Sequence, residues 1–266
     1  MSGAVAAVVR EVDAVEGRVR VEYVQIEDGL MSPWAYVAAP LAGPGRGMLF
    51  MPEPGDEVLV MHGNDDFDFP YVLGYLWNGR QRSPETDPQM RVIKTPGGHQ
   101  LRFEDVDGAK KVVLKSNDGR SVTLDDQPGL GRIEIKSGSN QVLMDDTAAS
   151  TLIKLQAGTG VGVTITMTAT PTPSLAISVG GTTSLTVDAS GVSLSTTAMA
   201  DITVGGVANI TCTSLNVTAA AAVAVTAPVV TVSSPFATFA GVLQCATLVT
   251  NAVVSTSYTP GIGNIW

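Results

Sequence analysis

Beyond Lys154 the sequence has no positively charged side chain, and from Ile202 to Trp266 it has no Asp, Glu, Lys, Arg or His. The acidic residues are almost as uneven: of 25, only Asp188 and Asp201 follow Lys154. The first part carries a net −7 and the remainder −2, of a total of −9. That balance excludes general nucleic-acid binding, which needs basic patches to neutralise phosphate. It also splits the chain into two kinds of structure. Histidine is nearly absent, with only His62 and His99. The two cysteines, Cys212 and Cys245, lack metal-type spacing and are expected to be plain buried thiols. The N-terminus "MSGAVAAVVREVDAVEG" lacks a basic region followed by an apolar core, so no signal peptide is expected. Nor is there a transmembrane helix. The most apolar stretch, "VTAAAAVAVTAPVVTV" (217–232), returns to Thr repeatedly, is broken by Pro228 and is rich in β-branched residues.

What is present is β structure of two textures. Ten of the 14 aromatics fall at or before Phe103. In "GRVRVEYVQI" (17–26), Val19, Val21 and Tyr23 alternate with charged residues, the mark of a half-buried strand. "WAYVAAP" (34–40) gives a second strand. "MLFMPEPGDEVLVMH" (48–62) gives two more around a Pro-Gly turn, and "FPYVLGYLW" (69–77) a fifth. Five short strands with an aromatic-rich interior predict a small closed barrel of OB-fold type over residues 1–82.

From about Arg91 short units recur at eight to ten residues: "VVLKSNDG", "VTLDDQPG", "IEIKSGSN" and "IKLQAGTG". Such a period suggests a β-solenoid. In the charge-free part the unit becomes an apolar β-former followed by Ser or Thr. It occurs at Ile177, Leu185, Val192, Ile202, Ile210, Val217, Val225 and Val232, mostly seven or eight apart. Small side chains and weakly polar faces make a lone chain of this kind prone to aggregate. An obligate homo-oligomer that pairs the strand edges of several copies is expected instead. The boundaries read as 1–82 for the barrel, 83–100 for a junction, 101–256 for the repeat and 257–266 for a terminal segment.

Candidate chemistry is sparse. "GPGRG" (43–47) lacks the helix and Lys-Ser/Thr of a phosphate loop and reads as a turn. Asp65, Asp66 and Asp68 lack the Gly and Glu of a calcium loop and read as a solvated hairpin. Glu53, Asp56 and Glu57 read as a charged turn, and His99 as a polar junction residue. No catalytic, cofactor or metal site is expected.

The segments "GRVRVEY", "SPWAYVAAPLAGPGRGMLFMPEPGDEVLVMH", "FPYVLGYLWNG" and "KTPGGHQLRFED" resemble the spike proteins of contractile injection machines: phage baseplate spikes, VgrG proteins of type VI secretion, and spikes of extracellular injection systems. The likeness covers about residues 8–125 by motif. It implies an all-β chain: an N-terminal OB-fold barrel followed by a C-terminal intertwined trimeric β-helix, the needle. It implies a membrane-piercing, non-enzymatic spike driven through a target envelope by sheath contraction. The spike touches the target membrane transiently and works beside baseplate and inner-tube components. The large hub-forming region of VgrG proteins is missing before the barrel, so a separate hub protein is expected. The iron-binding His-x-His of some short phage spikes is absent. At the far end a PAAR-type tip protein is expected to dock on Tyr258, Ile262, Ile265 and Trp266. Assembly in the cytoplasm, into a virion or other contractile particle, is expected. Other function classes fit less well. A polysaccharide-acting enzyme on a β-solenoid needs clustered carboxylates or bases, of which residues 155–266 offer two carboxylates. A single-strand-binding OB module needs a basic groove. A trimeric adhesin or fibre leaves the barrel unexplained.

Overall fold

The computed structural model describes residues 3–147, 149–159 and 162–256. Regular structure among them is β, apart from one 3-10 turn at Gly63–Asp65. The barrel region contributes β1 (Ala4–Asp13), β2 (Arg18–Glu22), β3 (Ala35–Val37), β4 (Ala42–Gly43), β5 (Arg46–Gly47), β6 (Glu57–His62) and β7 (Pro70–Tyr75). Strands β1-β2-β3-β7-β6 close into a barrel, with β3 and β7 parallel and the other neighbours antiparallel. β4 and β5 form a separate two-stranded ribbon.

Alternation builds the barrel interior. Val19 and Val21 on β2, Val58 and Val60 on β6, and Val72 on β7 are fully buried, together with Ala7, Val9, Tyr23 and Ala35. Each such valine contributes about 1.5–3 kcal/mol of burial relative to an exposed one. Arg18 and Arg20 cover the Trp34 ring from outside, 5.1 and 5.9 Å from its centroid. The expected strand count of five is found, with one exchange of members. Ala4–Asp13 is a strand. Its Ala- and Val-rich run hides the alternation, and its register shifts between Val9 and Glu11. Met48–Phe50 is exposed and forms no strand. Pro52 and Pro54 follow closely, and neither can donate to a ladder.

Residues 90–196 form a second sheet. Its eleven strands are β8 (Met90–Lys94), β9 (Gln100–Glu104), β10 (Lys111–Lys115), β11 (Ser121–Gln127), β12 (Leu130–Ser137), β13 (Asn140–Thr147), β14 (Ser150–Ala157), β15 (Val163–Thr168), β16 (Ser174–Val179), β17 (Thr183–Asp188) and β18 (Gly191–Thr196). Each pairs antiparallel with its neighbours in sequence order. The repeat is therefore a run of hairpins within one chain, where the spacing had suggested successive coils of a solenoid. Turns such as Asn117–Arg120 explain this: Gly119 takes φ +81°, which a chain-reversing turn requires. The sheet begins at Met90, within residues 83–100 that read as a junction.

The chain divides at Ile202 into two units. In the second, residues 203–256 contain no strand, and every described residue is exposed. The terminal segment 257–266, with Tyr258, Ile262, Ile265 and Trp266, lies outside the described residues.

Candidate functional site: an uncovered apolar face

Registry places the repeat's apolar residues in two rows across the sheet. One runs Ile93, Leu101, Leu114, Val122, Ile135, Val142, Leu155, Ile165, Ile177, Leu185 and Leu194, one from each strand β8 to β18. The second, two residues along each strand, runs Arg91, Phe103, Val112, Leu124, Ile133, Met144, Ile153, Met167, Leu175, Val187 and Val192. Arg91 is the one position that is not apolar, and it is ion-paired to Asp105. Side chains two apart on a strand share a face, so both rows lie on the same side. Not one described residue of these eleven strands is buried. Leu114 is 55% exposed, Ile135 43% and Leu194 56%. A contiguous apolar face of this extent, left open to water, marks a surface made to be covered.

The opposite face is largely polar, interrupted by Val92, Val113, Leu143 and Leu152, and its character changes along the chain. On β9 to β13 the directly opposed residues Glu104, Lys111, Asp125, Arg132 and Asp145 alternate in sign. Lys111 reaches Asp125 at 3.1 Å and Arg132 reaches Asp145 at 3.2 Å. Cross-strand pairs of this kind hold register. Asp145 is held below the usual carboxylate range, first by the Thr147 backbone N–H and also by Arg132. From β15 onward this face becomes Thr and Ser, as at Thr164, Thr166, Ser178, Ser184, Ser193 and Ser195. Past β14 this face keeps one charge, Asp188, while the apolar rows continue.

In residues 203–256 segments without regular structure are separated by bends. Bends at Gly205, Thr213, Ala220, Pro228 and Pro235 each come three residues after Ile202, Ile210, Val217, Val225 and Val232. The apolar-then-polar repeat is therefore in phase with the bends. Beyond Pro235 the bends close up to about every five residues, at Ala240, Ala246, Asn251 and Thr256. Backbone without a ladder leaves N–H and C=O groups for another chain to pair.

The carboxylates and loops read as candidate chemistry serve turns. Asp56 Oδ2 accepts from Glu53 N–H at 2.9 Å, and Glu57 Oε2 accepts from Asn78 Nδ2 at 2.6 Å. Asp66 Oδ1 accepts from Asp68 N–H at 3.0 Å. The 43–47 stretch is the β4–β5 hairpin. His99 Nδ1 accepts from Asn117 N–H at 3.3 Å, tying two turns together. Cys212 and Cys245, expected to be buried, are exposed in the chain alone. Among the described residues no group of three or more His, Cys, Asp or Glu could hold a metal ion. Among the same residues no helix is long and apolar enough to cross a membrane.

No motif pointed to the buried pair inside the barrel. His62, 4% exposed, has Nε2 3.0 Å from Tyr23 Oη, and Phe67 stacks on its ring with centroids 5.6 Å apart. Burial pushes the Tyr23 phenol up to about 12 and holds the His62 imidazole below its ordinary value. Both are thereby kept neutral.

Comparison with known proteins fits this geometry. Residues 5–77 match the model of the type VI secretion system/phage-baseplate injector OB domain. The chain is similar to two type VI secretion system spike proteins of Pseudomonas aeruginosa. It is 32% identical to VgrG4b over 111 residues and 36% identical to VgrG5 over 112. Each alignment takes in 37% of this chain and 14% of the relative's length. The barrel and the likeness to VgrG-type baseplate spikes stand on these matches together.

Proposed function

We propose that this chain is the central spike of a contractile injection machine, acting as a homotrimer without enzymatic activity. The supporting observation is the double apolar row that eleven strands carry and one chain leaves uncovered, followed by strandless coil whose bends keep the repeat's phase. Three chains wound about one axis cover those rows and bring the strandless backbone of residues 203–256 into register with one another. From β15 onward the outer surface is then mostly Ser, Thr and Ala, smooth and nearly uncharged, which suits the forward part of a needle that slides through an envelope. An adhesin or fibre shares such a coil but has no need of an injector OB domain. In this reading residues 1–82 form the collar, 83–100 the junction, 101–256 the intertwined β-helical needle and 257–266 the tip.

The barrels rest on a separate hub protein, beside baseplate and inner-tube components. The far end carries a PAAR-type tip protein on Tyr258, Ile262, Ile265 and Trp266. Contact with the target membrane is transient and mechanical, so stiffness matters more than any reactive group. Native sedimentation and negative-stain microscopy test the core of this. A three-fold needle with a wider head at one end is expected, and a monomer overturns the proposal. For the tip, removal of residues 257–266 is expected to abolish capture of a purified PAAR-type protein, and retained capture removes that assignment.

A further inference from the structure

Residues 76–89 run from the barrel to the sheet without a strand or helix, and an exposed stretch of that kind is usually a free linker. Here its polar side chains are tied to the two bodies it joins. Asn78, half-buried, forms the first knot. Its Oδ1 accepts from the backbone N–H of Arg80 at 2.9 Å and of Gln81 at 2.7 Å, and its own N–H donates to the Gln81 carbonyl at 2.9 Å. Its Nδ2 donates to Glu57 Oε2 at 2.6 Å. Gln81 Nε2 donates to the Gly55 carbonyl at 3.2 Å. The 55–57 turn that receives these bonds is itself held by β1: Gly55 N–H donates to the Val9 carbonyl at 2.8 Å, and Val9 N–H to the Asp56 carbonyl at 2.9 Å. Leu76 N–H donates to the Glu57 carbonyl at 2.9 Å, so the near half of the connector moves with the barrel.

The far half is fastened to the sheet. Glu85 Oε2 lies 3.1 Å from Arg102 Nη2 on β9, with both side chains less than a third exposed. Glu85 Oε1 accepts from Thr86 N–H at 2.9 Å, which shapes the chain around that ion pair. Asp87 Oδ1 accepts from Gln89 N–H at 2.9 Å, and Asp105 N–H donates to the Gln89 carbonyl at 3.0 Å, beside the β8–β9 pairing. Between the two fastenings stand Arg82, Ser83 and Pro84, all exposed. The ring of Pro84 fixes its own φ and confines Ser83 to extended backbone. Free rotation is left chiefly to Arg82.

We infer that residues 76–89 are a stiff coupling between barrel and sheet, fastened at Asn78 and Glu85, with any swivel confined to Arg82–Pro84. Asn78 and Glu85 act as positioning residues. Such a coupling passes axial thrust from the barrel into the sheet where a free linker would let the sheet fold aside. That role rests on the spike proposed above, whereas the fastening needs only the bonds of one chain.

The test is limited trypsin digestion of the full-length protein under native conditions, following cleavage after Arg80 and Arg82. A fastened connector is cut slowly, because the protease needs opened backbone. Asn78→Asp keeps the acceptor for the Arg80 and Gln81 N–H groups but sets a carboxylate against Glu57. It is expected to speed the cut by about tenfold or more, the equivalent of one hydrogen bond to a charged group. Adding Glu57→Gln returns a donor opposite that carboxylate, with the roles exchanged, and is expected to bring the rate back toward that of the unsubstituted protein. General damage to the fold is not repaired by a second change of this kind. Equal rates in all three proteins, fast or slow, overturn the inference, as does a double variant cut as fast as Asn78→Asp alone. Sedimentation of the same samples separates this from the reading above. Monomers with a slow, rescuable cut keep the coupling and remove the trimer, and trimers whose cut is insensitive to both changes keep the trimer and remove the coupling.

Discussion

His62 lies buried in the barrel beside the equally buried Tyr23, and its Nδ1 has no hydrogen-bond partner among the described residues. Its imidazole titrates below its ordinary value of 6.5 in the fold, because burial disfavours the charged form. The unfolded chain takes up a proton near 6.5, so it binds more protons than the native barrel below that pH. Stability from this site is therefore complete above pH ~6.5 and drains as pH falls toward the depressed native value, by at most about 1.4 kcal/mol per pH unit. Asp13, Glu22, Glu85 and Asp145 are also depressed, but from 3.8 or 4.5, so their contribution is lost at lower pH. The expected result is a barrel melting temperature, followed by near-UV circular dichroism, that drops between pH 7 and 5. In His62→Gln, which keeps a partner for Tyr23 and cannot titrate, the same interval is flat. An equal drop in both proteins assigns the effect elsewhere. Separately, Tyr23→Phe removes the Oη contact to Nε2 and is expected to cost about 1–3 kcal/mol, read from denaturant unfolding of the barrel.

At the scale of the element, the two faces of the sheet separate the lone chain from its assembly. Ile135, mid-row on β12, is 43% exposed in one chain. Ile135→Asp therefore costs little if the sheet works alone. If the rows are covered by other copies, it buries an unpaired carboxylate in each, at about 3 kcal/mol or more. Loss of the assembled species in native sedimentation is expected for Ile135→Asp. It is not expected for Thr166→Asp, which lies opposite Lys154 on the polar face. Equal behaviour of the two variants removes the case for a covered face. This two-sided pattern was legible in the sequence, because "VTLDDQPG" and "IEIKSGSN" put period-two alternation beside strong turn residues. The barrel was legible where Val and Arg alternate, as on β2. It was not legible on β1, where Ala and Val occupy both faces, nor at Met48–Phe50, where an apolar run stays exposed and forms no strand. The His62–Tyr23 pair left no trace either, since the partners are 39 residues apart and neither belongs to a motif. Closure of the barrel, which no local pattern encodes, brings them together.

On the scale of the whole molecule, the winding of three chains proposed above would convert marginal local contacts into kinetic stability. An extended segment with small side chains gains little by itself. A strand caught between two other chains cannot leave until all three loosen, so dissociation runs through a high barrier. The assembly is expected to migrate as a trimer in SDS without heating and to fall to monomers only after boiling; monomers in the unheated sample overturn this. The bends give a sharper test, because phase matters more than length. Residues 213–227 run from one bend to the residue before Pro228, two complete units. Deleting them joins Cys212 to Pro228 and leaves every later apolar residue in step with its bend. Deleting Ala221 alone removes far less material but shifts all later positions by one, which turns each following side chain to the other face. The fifteen-residue deletion is therefore expected to keep SDS resistance, and the single deletion to lower the temperature at which it is lost. The opposite order would mean that residues 203–256 hold together by total apolar content, with no register between the chains.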